Sequence, residues 1–162
     1  MSTRPAQRQD ITAIYRALSS VIAEQHYLMS AHKPDLPHFS RFLEANLERG
    51  YPVLVAEEGR HVVGWCDVYP RGPDVQRHVG RLGMGVVAHF RGRGHGKQLL
   101  TEAIAASWRA GFTRLELEVF ADNPVAIALY ERAGFQREGL HRRVRKDSKG
   151  YRDMISMALL AL

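Results

Sequence analysis

The chain of 162 residues contains a single cysteine, Cys66, and it lacks long apolar runs. One thiol cannot form a disulfide within the chain. Because no apolar run reaches the roughly 18 residues that a membrane span needs, no transmembrane helix is predicted. The first ten residues are polar, so no secretory signal is expected either. We therefore predict a cytoplasmic protein in which Cys66 is a buried structural thiol rather than a covalent nucleophile.

Acidic residues are scarcer than basic ones, 17 against 23, and the formal net charge is +6. An excess of positive charge favours binding to anions but does not determine a fold. Basic residues cluster at 91–97, 142–146 and 149–152. The composition therefore admits both nucleic acid and a phosphorylated small molecule as partners.

Glycine is concentrated between an apolar run at 82–87 and a helical pattern at 99–108, in the segment Arg91-Gly92-Arg93-Gly94-His95-Gly96-Lys97. Glycines there permit positive φ and bring peptide N–H groups together, while a helix N-terminus adds partial positive charge. The segment, called the glycine loop below, therefore predicts a phosphate site. Its spacing fits neither a P-loop nor a G-x-G-x-x-G dinucleotide motif. A flexible basic turn or an RGG-like contact with nucleic acid is the alternative.

A second motif runs from Asn123 to Phe135. Asn123 is a good N-cap, Pro124 suits the first helical position and Gly134 suits the residue after a helix, which predicts a helix of about three turns. The pattern R-x-x-G-x-G at 91–96 is followed, 27 residues after Gly96, by N-x-x-A-x-x-x-Y-x-x-x-G-F. This pair of motifs resembles the GNAT superfamily of acyl-CoA N-acyltransferases, and the resemblance covers nearly the whole chain.

The predicted elements have the order β-α-α-β-β-β-α-β-α-β-β, which agrees with the GNAT fold. We expect an α/β (α+β mixed) single domain over residues 1–162, with a mixed, mostly antiparallel sheet of about seven strands and about four helices. One right-handed βαβ unit is expected. The predicted elements are an edge strand at 3–8, a helix capped by Asp10, a helix ending at Gly50, strands at 53–56, 62–68 and 78–87, a helix at 94–110, a strand at 113–120, the helix after Asn123, and strands at 135–144 and 151–160.

The resemblance implies acetyl-CoA as cosubstrate and no metal. It assigns the backbone of Met84, Gly85 and Val86 to pairing with the pantetheine arm and to polarising the thioester carbonyl. Glycines 83 and 85 are also expected to mark a bulge or the close approach of another chain. Asn123 either contacts the cofactor arm, caps its helix, or does both. The pyrophosphate is assigned to the main-chain N–H groups of the glycine loop, residues Arg91, Gly92, Arg93, Gly94, His95, Gly96 and Lys97.

Tyr130 occupies the position of the family's general acid. A phenol, with a pKa of about 10, can protonate a departing thiolate, whose thiol has a pKa of about 8.5. From spacing alone a packed core aromatic is the preferred interpretation, because Tyr130 shares a helix face with Ile127. The resemblance favours the catalytic role.

The general base is less clearly marked. A central strand covered on both sides should not carry two carboxylates, so we expect Glu116 or Glu118 to face a cleft. The segment 117–119 is similar to bacterial ribosomal-protein alanine N-acetyltransferases, which implies Glu118 as the base. The alternative for Glu118 is a surface salt bridge with Arg114 or Arg81. Three histidines offer a base acting through water, and their spacing does not favour a metal: His26, His32 and His78.

The implied reaction is direct transfer of acetyl from acetyl-CoA to a primary amine in a ternary complex. The segment 149–157 is similar to amino-acid and polyamine N-acetyltransferases, which favours a small amino compound. A protein N-terminus, as in the ribosomal-protein enzymes, is the second candidate acceptor. A domain that binds coenzyme A or nucleic acid without turnover is the alternative of a different class. Neither a membrane nor nucleic acid is an expected partner, and a homodimer is left open.

Overall fold

The computed structural model describes residues 2–162, which form seven strands and four α-helices in the predicted order. Three short 3-10 turns add to them, the last at Ala88–Phe90 beside the glycine loop. The strands are β1 Ser2–Pro5, β2 Val53–Glu58, β3 His61–Pro70, β4 Val79–Val86, β5 Arg114–Phe120, β6 Gln136–Asp147 and β7 Gly150–Leu160. The helices are α1 Ile11–Ala23, α2 Leu36–Glu48, α3 His95–Arg109 and α4 Pro124–Arg132.

The first strand and the start of α1 differ from the prediction. β1 ends at Pro5 and does not continue to residue 8. Asp10 does not cap α1, because its carboxylate accepts from the Arg4 guanidinium and from the Gln7 N–H. Asp10 instead closes the 3-10 turn before the helix, and the Arg4 ion pair lowers its pKa.

The sheet order is β1-β2-β3-β4-β5-β7-β6. Within residues 2–162, β4 and β5 form the one parallel pair and all other neighbours are antiparallel, which confirms the mixed, mostly antiparallel sheet. The parallel pairing covers only Val79–Arg81 against Arg114–Glu116. Beyond it the two strands separate, and the sheet has a gap between residues 82–86 and 117–120.

Helices cover both faces of the sheet. Since successive residues of a strand point to opposite faces, one face of β3 packs with α3 and α4 through residues such as Cys66 and Val68. The other face of β3 packs with α1 and α2 through Trp65. The gap between β4 and β5 therefore opens to both helical layers.

Candidate functional site

The edge of β4 that faces the gap carries peptide groups without a strand partner. Even-numbered residues of β4 direct their peptides toward β5, because His78 O accepts from Arg114 N, while Val87 N donates to Val63 O on β3. Met84 and Val86 therefore point their peptides into the gap, and Gly85 points its peptide toward β3. Free strand edges of this kind accept an extended ligand as an added strand.

Gly85 has a structural explanation of its own. A Cβ on Gly85 would collide with the indole ring of Trp65, its register partner on β3. The pairing of β3 with β4 has no register shift, so the expected bulge is wrong. The close neighbour that requires this glycine is a side chain of the protein itself.

The glycine loop enters α3 with the expected backbone. Gly92 has a φ of 74° and Gly94, the N-cap of α3, has a φ of 90°, a region that only glycine adopts without strain. Gly96 differs, since a Cβ there would meet only ordinary contacts from Leu129 and Met84. The protein's own packing therefore does not require glycine at position 96, which fits a ligand that approaches the start of α3 closely.

The side chain of Arg91 is committed to the protein. Its guanidinium forms a bidentate ion pair with Glu24, just after α1, and it stacks on the Tyr27 ring with 4.4 Å to the ring centroid. Its Nε also donates to Val86 O at 2.8 Å. Arg91 thus ties the end of β4 to the segment that follows α1.

Two more basic side chains of the loop converge on Glu58. Arg93 donates to one carboxylate oxygen of Glu58, and His95 Nε2 lies 2.9 Å from the other. The pKa of Glu58 is lowered by these partners, His95 first. His95 is buried, and its imidazole is engaged by Glu58. Lys97 is exposed and, among residues 2–162, has no ion-pair partner, so its charge is available to an anion.

Asn123 caps α4, as expected, since its side-chain oxygen accepts from Ala126 N at 3.2 Å. Its contact with a cofactor stays a prediction.

Tyr130 is buried between α4 and the sheet and packs edge-on against Phe135. Burial raises its pKa above the ordinary value, and the nearby Cys66 thiol adds to the effect. The hydroxyl therefore keeps its proton throughout the physiological range. Cys66 is fully buried, and burial raises its pKa as well, so it is the unreactive thiol that was predicted.

On the opposite face, a cavity of about 220 Å³ opens where β4 and β5 separate. Both Glu116 and Glu118 line it, which confirms that β5 faces a cleft there. The charged side chains balance, with three arginines and three glutamates: Arg71, Arg81, Arg114, Glu116, Glu118 and Glu138.

Most of these charges are paired with one another. Arg71 and Arg114 both contact Glu116, and Arg114 also holds Glu138. Glu118 has the looser contact, at 3.6 Å from the Arg81 guanidinium, and both side chains are more than 40% exposed. Arg81 is thus the partner of Glu118, and Arg114 is not. A weakly paired carboxylate and a weakly paired guanidinium face one small cavity.

The histidine alternatives are placed differently. His78 precedes β4 and is exposed at the end away from the gap. His26 and His32 belong to the segment between α1 and α2, where His26 O accepts from Arg152. No group of three metal-ligating side chains occurs in residues 2–162.

Asp67 on β3 is a candidate that the sequence did not reveal. It is only 9% exposed, and no arginine, lysine or histidine of residues 2–162 forms an ion pair with it. Burial raises its pKa to about 7, with a partial offset from the Trp65 indole. The apolar neighbours in sequence gave no signal for a carboxylate with a chemical role.

Comparison with known proteins places this arrangement in a family. The Acetyltransferase (GNAT) family model matches residues 15–135. L-amino acid N-acetyltransferase AaaT of Escherichia coli is 28% identical over 91% of this chain and 92% of its own length. N-alpha-acetyltransferase RimI of Mycobacterium tuberculosis is 39% identical over 54% of each chain. This chain thus spans about half the length of some curated relatives. The uncharacterized N-acetyltransferase YycN of Bacillus subtilis is another such relative, with 49% of its length matched.

Solved structures agree on the fold. The ribosomal-protein-alanine N-acetyltransferase of Brucella melitensis superposes with a TM-score of 0.91 and 27% identity, covering 99% of this chain and 100% of that one. The yncA acetyltransferase of Salmonella typhimurium, solved with its cofactor acetyl-CoA, gives a TM-score of 0.92 and 25% identity over 99% of this chain and 93% of that one. No helix in residues 2–162 is long and apolar enough to span a membrane. The chain belongs to the acetyltransferase (GNAT) family, as its two motifs predicted.

Proposed function

We propose that this protein transfers an acetyl group from acetyl-CoA to the primary amine of a small amino acid, by direct attack in a ternary complex. The observation that carries the proposal is the charge-balanced cavity of about 220 Å³ beside the gap in the sheet. It lies on one side of the gap, and the glycine loop with Tyr130 lies on the other. The two substrates would thus meet across β4 and β5.

The cofactor side fits acetyl-CoA. The peptide groups of Met84 and the N–H of Val86 are free to pair with an extended arm, whereas Val86 O already accepts from Arg91 Nε. The loop N–H groups with the exposed Lys97 suit a pyrophosphate. The contribution of Arg91 is indirect, because its guanidinium is held by Glu24. When bound, acetyl-CoA supplies the activated acyl group.

The acceptor side fits a zwitterion. A small amino acid carries one ammonium and one carboxylate, which match Glu118 and Arg81 respectively. A polyamine carries no carboxylate for Arg81, so the cavity favours the amino acid over it. The small volume favours a single amino acid over a folded protein surface.

The relatives support the same choice. The match to AaaT, an L-amino acid N-acetyltransferase, extends over 91% of this chain. The match to RimI covers 54% of the chain. A peptide N-terminus is nevertheless the second candidate, because the Brucella melitensis enzyme, named for ribosomal-protein alanine, superposes over 99% of the chain.

Proton transfer is assigned to two residues. Glu118 accepts a proton from the ammonium group, which makes the nitrogen nucleophilic. Tyr130, whose phenol is kept neutral by burial, donates its proton to the sulfur as it leaves. The tyrosine lies on the proposed cofactor face and the glutamate on the proposed acceptor face, which supports these two roles.

The test is release of free coenzyme A in the presence of single amines. The panel contains L-amino acids, the corresponding amino acid amides, spermidine, and peptides with a free N-terminus. We expect the highest kcat/KM with an amino acid and a loss of at least about tenfold with its amide, which lacks the carboxylate for Arg81. Preference for a peptide would establish the second candidate. Binding of acetyl-CoA without turnover of any amine would support the non-catalytic module instead.

A further inference from the structure

We propose that Asp67 is a second proton acceptor in acetyl transfer, taking the proton that the nitrogen releases as the new C–N bond forms. This inference rests on the proposed function. It assigns a role to a buried carboxylate that neither the glycine loop nor the Glu118–Arg81 pair uses.

Asp67 lies close to the gap between β4 and β5. Asp67 is the register partner of Gly83 on β4, two residues beyond Arg81, where the pairing with β5 ends. A Cβ placed on Gly83 would lie 3.4 Å from Asp67 Oδ1. The carboxylate therefore leans over Gly83, and this glycine leaves no side chain between Asp67 and the gap.

The register partner of Asp67, Gly83, is also the residue next to Met84, whose peptide is assigned to the cofactor. Met84 follows Gly83 and directs its peptide into the gap. A thioester that pairs with this edge of β4 would have its carbonyl carbon close to Gly83. An attacking nitrogen would then lie between Glu118, which lines the cavity, and Asp67, which does not line it but lies beside Gly83.

The surroundings of Asp67 leave its carboxylate without a counter-ion. On β3 its neighbours on the same face are Trp65 and Tyr69, and burial with the charge of Asp67 raises the pKa of Tyr69. Across the sheet, the charged groups nearest in register on the same face are Arg81, the partner of Tyr69, and Glu116, the partner of Arg81. Glu118 follows two residues later on β5. The side chains that α1 and α2 bury are apolar except for the neutral amide of Asn46. A buried carboxylate without a counter-ion is costly even with a hydrogen bond from the Trp65 indole, and such a group is kept where it has a function.

The proton balance of the reaction calls for two acceptors. An alkylammonium loses two protons on becoming an amide, one before attack and one as the C–N bond forms. The first proton goes to Glu118 and from there to solvent. As the C–S bond breaks, the sulfur keeps the electron pair and takes the Tyr130 proton, while the second nitrogen proton goes to Asp67. Tyr130 is reprotonated and Asp67 deprotonated through solvent, so that each turnover releases one proton in all.

The ionisation of Asp67 suits this role near neutrality. With its pKa raised to about 7, the carboxylate is ionised above that pH and is a stronger base than an ordinary aspartate. Its contribution to kcat should therefore appear as pH rises through about 7.

The experiment compares Asp67→Asn with Glu118→Gln in the full chain, using the best amine of the panel. It measures kcat from pH 6 to pH 10, together with the dissociation constant of acetyl-CoA by equilibrium binding. For Asp67→Asn we expect unchanged acetyl-CoA affinity, a kcat lowered by roughly 10²-fold or more, and loss of the rise near pH 7. High pH should not restore its kcat, because the second proton leaves only after attack. High pH should restore Glu118→Gln, because free amine is then supplied by the solvent.

Asp67→Glu is the conservative control and should recover part of the activity, because it keeps a carboxylate at the same position on β3. A kcat for Asp67→Asn within about threefold of wild type would overturn the proposal. Full recovery of Asp67→Asn at pH 10 would also overturn it, since Asp67 would then act on the first proton. A wild-type protein that binds acetyl-CoA but acetylates no amine would overturn the proposed function and this inference with it.

Discussion

The two sides of the gap between β4 and β5 are built in opposite ways. On the α3 and α4 side, the site residues come from two continuous stretches, the glycine loop and the segment 123–135, and the side chains around Tyr130 are apolar. On the α1 and α2 side, the cavity takes its charged residues from three strands, β4, β5 and β6, and from the turn after β3. One side can be fixed by local backbone geometry and helix packing. The other side depends on how distant strands are brought together. Substitutions there can therefore change the acceptor that the protein binds without changing the cofactor.

The largest effect should come from Tyr130→Phe. The change removes the proposed proton donor and keeps the ring in its packing against Phe135. We expect kcat to fall by roughly 10²–10⁴-fold with little change in acetyl-CoA affinity. Tyr51→Phe is the control, since Tyr51 also packs against the same apolar core but lies beside Phe112. If kcat falls by an equal and small factor in both variants, Tyr130 contributes only to packing.

Glu118→Gln should have the next largest effect, confined to low and neutral pH. We expect kcat/KM to fall by about 10²-fold at pH 7 and to approach wild type near pH 10, where the amine is largely neutral. A pH–rate profile checks this expectation. A profile parallel to that of wild type would mean that the Arg81 ion pair is the whole role of Glu118.

Gly94→Val and Gly111→Val sharpen the comparison at the two ends of α3. Both glycines have φ near +90°, so each valine should cost stability through backbone strain of more than about 1 kcal/mol. Only Gly94→Val should weaken acetyl-CoA binding, by roughly tenfold or more, since Gly111 lies at the far end of the helix. Calorimetric titration separates the two effects. Equal cofactor affinity in the two variants would remove the glycine loop from the cofactor site.

Asp67→Asn should make the protein more stable above neutral pH. In the folded state the pKa of Asp67 is raised from 3.8 to about 7, so between these values the folded protein holds a proton that the unfolded chain has lost. The free energy of unfolding therefore falls as pH rises through this window, by up to about 4 kcal/mol. Urea unfolding at pH 5 and pH 8 should show that the variant gains more over wild type at pH 8. No gain at pH 8 would mean that the Asp67 carboxylate is well solvated.

The same contrast explains how far the sequence alone could reach. Glycines with positive φ, the Asn123 cap and the apolar face around Tyr130 are local features, and each was predicted from its own segment. A cleft beside β5 was also expected, but its other charged lining and the choice of Arg81 over Arg114 as the partner of Glu118 were not, because both depend on where β4 and β5 separate. Asp67 was missed for the same reason. Its environment is set by Gly83 on the neighbouring strand, and nothing in the run His61–Val68 indicates that partner.

Two incorrect local predictions, at Asp10 and Gly85, have a similar cause. Asp10 is a good N-cap by type, but Arg4 on β1 captures its carboxylate, so the helix begins without it. Gly85 suggested a bulge or the close approach of another chain, whereas the Trp65 ring on β3 already requires a glycine there. In both cases a contact across the sheet or between elements overrides a local preference.

Initial-velocity kinetics with acetyl-CoA and the preferred amine test the central claim, that acetyl passes directly between substrates bound on the two sides of one gap. We expect intersecting lines when both concentrations are varied, and no acetylated protein by intact mass after incubation with acetyl-CoA alone. Parallel lines together with an acetyl group on Cys66 would contradict direct transfer.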